Sequence, residues 1–236
     1  MTDAPLPDLP GGPHDLEFFF DPACPFAWQT SVWVRRVAAL RQVSVGWRFI
    51  SLAHINREKD LPEQQRENHL RSTRYLRICA AARERHGNDA VGALYQGWGD
   101  RTWYSPPAER SITKRVAAAA SLIDVGEVLA SLDLDADLIE AGEDERWDDV
   151  IRRESDEAFR RTGRDVGTPI ITYGPPDGMS LFGPVISTVP EDDETVLALY
   201  DASRTLAAYP GFAELKRTDR PPFDLPLLAP VEEPKG

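Results

Sequence analysis

The chain has 236 residues, 42% of them hydrophobic and 28% charged, and carries a formal net charge of −12. That length can bury a sizeable core, in one domain with an insertion or in two small domains, whereas the acidity argues against a nucleic-acid footprint and against docking on an anionic membrane. The start, MTDAPLPDLPGGPHD, lacks the basic and apolar regions of a secretory signal, and no apolar run reaches membrane-spanning length, so the expected location is cytoplasmic. Two cysteines, Cys24 and Cys79, allow at most one internal disulfide, which a reducing compartment disfavours; four scattered histidines show no metal-ligand spacing, so no metal is expected.

Residues 1–14, rich in Pro and Gly, read as a flexible leader. DLEFFFD (15–21) predicts a buried strand that stops at Pro22. From Pro25 the pattern turns helical: Phe26, Val32, Trp33, Val37 and Leu40 recur at spacings near 3.6, and proline suits a first turn. VSVGWRFISL (43–52) alternates and is β-rich, which completes a βαβ unit whose crossover should be right-handed. Between 62 and 163 no segment reads as a strand. PEQQRENHLRSTRYLRICAAARERHG, PAERSITKRVAAAASLID and DERWDDVIRRESDEAFRRTG are helical by periodicity and composition, which makes this block an all-helical insertion. TPIITYG (168–174) and MSLFG (179–183) then predict two short strands joined by the turn signal PPDG. PEDDETVLALYDASRTLAAY (190–209) closes as a helix with acidic residues in its first turn, where the dipole favours them. The Pro-rich tail, 218–236, is expected to be extended over the surface or disordered.

A βαβ unit, a helical insertion and a ββα unit form the plan of an α/β thioredoxin-like fold with a mixed sheet. Its two halves fall at 15–61 and 164–217, and the insertion at 62–163. Cys24 stands at the strand-to-helix turn, in FFFDPACPFAW (18–28). Free N–H groups and the positive end of a helix dipole stabilise a thiolate there, so the thiol is expected to ionise nearer neutrality than its usual value of about 8.5. A small buried hydrophobe is the plainer account of a free cysteine, and the following Pro25 favours the reactive one. In VGTPII (166–171), Thr168-Pro169 at a strand start suits a cis turn, although on the dipeptide alone an ordinary trans proline is the better reading.

On FFFDPACPFAW, ISLAHINRE, LPEQQRE, DVGTPII, LFGPVIS and YPGFAELKRT, in order over about residues 16 to 223, the chain resembles the DsbA-like, mycothiol-dependent nitroreductases. More distantly it is similar to kappa-class glutathione transferases and 2-hydroxychromene-2-carboxylate isomerases. The resemblance implies that Cys24 is the reactive thiol, that Pro169 is cis and faces it, and that Asn56 and the turn Phe182-Gly183-Pro184 border the thiol site. Read without it, Asn56 is a turn residue and Phe182 is core. The chain departs from the pattern at three places. Phe26 and Ala27 replace the last two residues of Cys-Pro-Trp-Cys, Gln65 stands where tyrosine is typical, and Pro184-Val185 replaces the Ser-Asp pair of the glutathione enzymes.

With Ala27 in place of a resolving cysteine, Cys24 can attack a disulfide or an electrophile, but a second small thiol must release the adduct. The expected activity is thiol-dependent reduction or exchange at one cysteine, with a low-molecular-weight thiol as cofactor: mycothiol by resemblance, glutathione less so. The expected substrate is a small electrophile or disulfide, and the absence of a Gly-rich phosphate loop argues against nucleotide and flavin. The alternatives are a transferase or isomerase in which Cys24 orients a bound thiol, and a thiol-binding protein without catalysis. Pro25, Phe26 and Trp28 complete the proposed binding set; packing on the sheet is the plainer role for Trp28. Cys79 reads as core on an apolar helix face with Tyr75, Leu76 and Ala82. Trp98, Trp103 and Tyr104 suit either a pocket beside the cysteine or the core of the insertion. His54 reads as a solvated loop residue, and EAGEDERWDD (140–149) as an exposed, capped helix start.

Overall fold

The computed structural model describes residues 6–107 and 111–229. The chain enters through β1 (Leu16–Phe20), α1 (Pro25–Arg41) and β2 (Val45–Phe49). After the short α2 (Leu52–Ile55) come the helices α3 (Glu63–His86), α4 (Asn88–Trp103), α5 (Ile112–Ser121), α6 (Val125–Ser131) and α7 (Asp148–Thr162), with 3₁₀ turns at Ala136–Glu143 and Glu145–Trp147. It returns through β3 (Ile170–Tyr173) and β4 (Ser180–Phe182) to α8 (Asp193–Ala208). The sheet runs β2-β1-β3-β4, with β1 and β2 parallel and the other neighbours antiparallel. Because α1 crosses between parallel neighbours while β3 and β4 form a hairpin, this is the thioredoxin-like arrangement, and α3 to α7 are its helical insertion. The PPDG turn carries a hydrogen bond from Gly178 N–H to the Gly174 carbonyl.

Alternation along β1 gives the sheet two unlike faces. Phe18 and Phe20 point the same way as Trp47 and Phe49 of β2 and are buried with Trp33 and Val37 of α1 and Tyr95 of α4. Phe20 stacks on Tyr95 with ring centroids 3.9 Å apart. Fully burying a side chain of this kind stabilises the fold by about 1.5–3 kcal/mol, so this face supplies much of the core. The insertion is not an appendage, since α4 is built into it. Gly99 of α4 is required there: a Cβ would lie 2.0 Å from Cζ3 of Trp28 on α1.

Glu17 and Phe19 face the other way, toward α7. Arg48 of β2 meets Glu17 at 2.6 Å and Glu154 of α7 at 3.2 Å, Arg83 of α3 meets Glu154 at 2.9 Å, and Arg161 of α7 meets Glu17 at 2.6 Å. Glu154 also accepts from Phe49 N–H at 2.7 Å. These charges are almost wholly buried, so each needs its partners: leaving one unpaired costs about 3–5 kcal/mol. The network locks α3 and α7 to the sheet, and nothing in the sequence pattern of DLEFFFD announces it.

The described part of the leader, residues 6–14, touches the body of the fold. Leu9 is buried, and the Pro7 carbonyl accepts from Arg48 at 3.0 Å. The tail as far as residue 229 also packs: Leu225 and Leu227 are buried, and Pro226–Leu228 forms a 3₁₀ turn. Single leucines among prolines are enough to anchor such a segment on the fold, which overall composition does not register.

Candidate thiol site

β1 ends at Phe20, and Asp21-Pro22-Ala23 turns the chain so that Cys24 becomes the N-cap of α1, with an extended backbone (φ −93°, ψ 112°) and Pro25 at the first helical position. The Ala27 N–H points at Sγ at 3.5 Å, while the thiol donates to the Thr168 carbonyl at 3.4 Å. Thr168 is fixed in turn, its hydroxyl donating to the Phe19 carbonyl at 3.0 Å, and the Thr168–Pro169 peptide is cis. The Pro169 carbonyl accepts from Gly183 N–H at 2.9 Å, and the Pro184 carbonyl accepts from the Thr30 hydroxyl of α1 at 2.9 Å. Gly183 takes φ +98°, a region that disfavours side chains. Hydrogen bonds thus join Cys24, Thr168, Pro169, Gly183 and Pro184 through the helix start and two loops.

The other sequence candidates lie around this centre in different ways. Phe26 is half-buried, its ring 4.6 Å from that of Phe223. Pro25 is half-buried beside it. Trp28 is buried against α4, edge-on to Tyr95 and to the partly exposed Tyr104. Phe182 is exposed, and its ring lies within 3.8 Å of where a Cβ on Gly167 would stand, beside the Thr168 loop rather than in the core. Asn56 caps α2 and turns its amide back to the Leu52 carbonyl at 3.0 Å, so no hydrogen bond joins it to the sulfur. His54 is held by Asp156 at 3.0 Å instead of standing free in solvent. Trp98 and Trp103 are core, and Cys79 is a fully buried free thiol in α3. In EAGEDERWDD, Asp148 receives Arg77 at 2.7 Å through both carboxylate oxygens. A cavity of about 680 Å³ at the opposite end of β1 and β2, among His14, Arg35, Trp47 and Asn88, takes in none of the thiol-site residues.

The expectation of an acidic thiol does not survive burial. Cys24 is only 7% exposed, and its ionisation is pushed up to about 12: burial is the largest cause, the Ala27 and Phe26 N–H groups pull the other way, and the nearby Asp21 charge adds to the rise. A helix start stabilises a thiolate by about 1 kcal/mol, which a buried site without a counter-cation outweighs. The S–H bond to the Thr168 carbonyl acts in the same sense, because it exists only while the thiol is protonated.

Asp21 is the site residue that sequence reasoning passed over. Its side chain is fully buried and accepts from Ala23 N–H at 2.8 Å, from Leu52 N–H at 2.7 Å and from the Ser72 hydroxyl. It ties the Cys24 loop to the start of α2 and to α3. Burial raises its pKa to about 6, against the lowering effect of those three donors. The available signal was an aspartate directly after three consecutive phenylalanines of β1, where a charge must find partners or be neutralised.

A mixed sheet with one buried thiol capping α1, opposite a Thr-Pro loop, defines a DsbA-like protein of the thiol-oxidoreductase class. The chain belongs to the Rv2466c-like family, described as mycothiol-dependent nitroreductase Rv2466c, whose family model matches residues 23–217. Rv2286c of Mycobacterium tuberculosis, an uncharacterized protein, is 31% identical over 216 residues, covering 91% of this chain and 86% of the relative. Among solved structures, the cytosolic disulfide reductase DsbM of Pseudomonas aeruginosa is similar in fold, with TM-score 0.50 and 15% identity over 80% of this chain and 98% of that one. DsbA2 of the same organism gives 0.48 at 17% identity, covering 86% and 98%.

Proposed function

We propose that this protein is a monothiol oxidoreductase in which Cys24 exchanges with a low-molecular-weight thiol, mycothiol before glutathione, and reduces a small disulfide or electrophile in a reducing compartment. The observation that carries the reading is the setting of Sγ, 3.5 Å from the Ala27 N–H and 3.4 Å from the Thr168 carbonyl, with an alanine where a resolving sulfur would stand. In the forward step the Cys24 thiolate attacks one sulfur of a disulfide RS–SR′, forming Cys24–S–SR and releasing R′S⁻. A second thiolate R″S⁻ then attacks the sulfur borne by R, forming RS–SR″ and freeing the Cys24 thiolate. The Ala27 N–H stabilises the sulfur's charge in both steps, and Pro25, Phe26, Trp28, Asn56, Thr168, Pro169, Phe182, Gly183 and Pro184 are assigned to the thiol and substrate surface. Membership in a family named for mycothiol dependence supports the choice of thiol. So does Pro184, which offers its carbonyl to Thr30 where the glutathione enzymes carry a Ser-Asp pair.

The buried, protonated sulfur favours a second reading, in which Cys24 keeps its proton and orients a bound thiol, as in a transferase or isomerase. Intact mass after incubation with mycothiol disulfide and with glutathione disulfide separates the two. The monothiol reading expects a stable mixed disulfide on Cys24, released by excess thiol. In Ala27→Cys that adduct is replaced by an internal disulfide, because residues three apart near a helix start lie on adjacent turns. A thiol conjugate turned over by Cys24→Ser would establish the second reading instead.

A further inference from the structure

The family match ends at residue 217, and the chain beyond it returns to Phe26, in the first turn of α1 after Cys24. Arg220 and Phe223 both lie on the Phe26 ring, two residues from the sulfur, at 4.9 Å and 4.6 Å. The Asp224 N–H donates at 3.0 Å to the carbonyl of Ser187, three residues after Pro184. Leu225 and Leu227 are then buried at 1% exposure each, and Arg115 of α5 donates to the Ala229 carbonyl at 2.7 Å. The segment is therefore fastened at Asp224 to the loop after β4 and at Ala229 to the helical insertion, with Phe26 beneath its leading part, residues 220–223.

We propose that residues 220–229 form a strap that narrows the approach to Cys24, with Phe223 as the specificity-determining side chain, so that the site takes low-molecular-weight disulfides or electrophiles and excludes polypeptide disulfides. The proposal rests on Cys24 being the reactive thiol. An extended polypeptide reaching the sulfur needs room beside the Thr168 loop and over Phe26. The strap holds that surface, and clearing it means exposing Phe223, Leu225 and Leu227 together. A small molecule needs only the Phe223–Phe26 ring pair to part, while the anchors from Asp224 to Ala229 stay in place.

The test compares wild type with Phe223→Ala, full-length and native, in the rate at which Cys24 is alkylated by iodoacetamide and by an iodoacetylated peptide, with the labelled site assigned by mapping. Loss of one aromatic pair should speed the peptide reagent by about tenfold and iodoacetamide by less than about threefold. Phe223→Leu, which keeps an apolar wall, should restore most of the discrimination and controls for a folding defect in the alanine variant. Unchanged peptide labelling in Phe223→Ala, or equal acceleration of both reagents, would overturn the strap. Because alkylation requires no exchange chemistry, size selection that persists without any mixed-disulfide adduct would sink the redox reading and leave the strap standing.

Discussion

The two cysteines stand in similar burial and dissimilar backbone settings. Cys79 lies in the middle of α3, one turn from Tyr75 and one from Arg83, fully enclosed, and burial pushes its ionisation far above the ordinary range. Cys24 is almost as enclosed and is also pushed upward. What separates them is the backbone. Within α3 the amide groups around Cys79 are spent on the helix itself, whereas at the start of α1 the Ala27 N–H is free to face the sulfur, and the Thr168 carbonyl reaches it from another loop. Burial alone therefore does not distinguish the two thiols. The unspent hydrogen-bonding groups at the start of α1 do.

The largest expected effect breaks the comparison outright. Cys24→Ser should abolish the mixed disulfide seen by mass spectrometry, while Cys79→Ala keeps it and loses about 1 kcal/mol of stability, the cost of removing one heavy atom from a core. An adduct that follows Cys79 would reverse the assignment of the two thiols.

Asp21→Asn sharpens it next. The Asp21 charge is a cause of the rise at Cys24 and not at Cys79, so the variant should lower the Cys24 pKa and leave Cys79 alone, as read by thiolate absorbance. The same substitution has a pH signature in stability. With its folded pKa at about 6, above the unfolded value of 3.8, Asp21 is carried without cost below pH 3.8 and destabilises the fold increasingly as pH rises through 6. From pH 4 to 7, denaturant melts of the variant should gain on wild type by up to about 3 kcal/mol. A pH-independent offset of about 1–3 kcal/mol in the other direction comes from the N–H that asparagine's amide cannot accept. A difference that stays flat with pH would mean that Asp21 titrates normally.

The smallest effect is steric. Gly99→Ala puts a methyl group into Trp28, one turn after Cys24, and should cost about 1–3 kcal/mol as overpacking. Native-state labelling of Cys24 should change in this variant, and labelling of Cys79 should still require global unfolding. Equal labelling of both would show that α1 and α3 respond as one block.

How much of this was legible depended on how far apart the cooperating residues lie. The strand and helix about Cys24, the strand-free insertion and the closing hairpin and helix were all written locally. Phe18, Phe20, Trp33 and Val37 declare their faces through spacing, and the helix starts through Pro25 and Cys24. The Thr-Pro pair at a strand start offered Thr168 and Pro169, and resemblance set them against Cys24 and supplied the Phe182-Gly183-Pro184 turn, which no local pattern ties to the thiol. Asn56 and Phe182 came from the same source, and the structure joins neither to the sulfur by a hydrogen bond. Asp21 was missed because its three donors come from Ala23, Leu52 and Ser72, and only the first is a sequence neighbour.

The sequence by itself determined the order of elements, the place of the thiol at the head of α1 and the absence of a partner sulfur at Ala27, because periodicity, capping and residue identity belong to contiguous stretches of chain. Tertiary structure decided how deeply that thiol is buried, what faces it and which distant ring packs on Phe26 beside it. The Cys24–Thr168 contact spans 144 positions, the Arg48–Glu154 pair 106, and the Phe223 ring returns to Phe26 from the far end of the described chain. Desolvation and pairing energies are set by whatever surrounds a group in space, so a charge or a sulfur acquires its chemistry only when distant segments close around it.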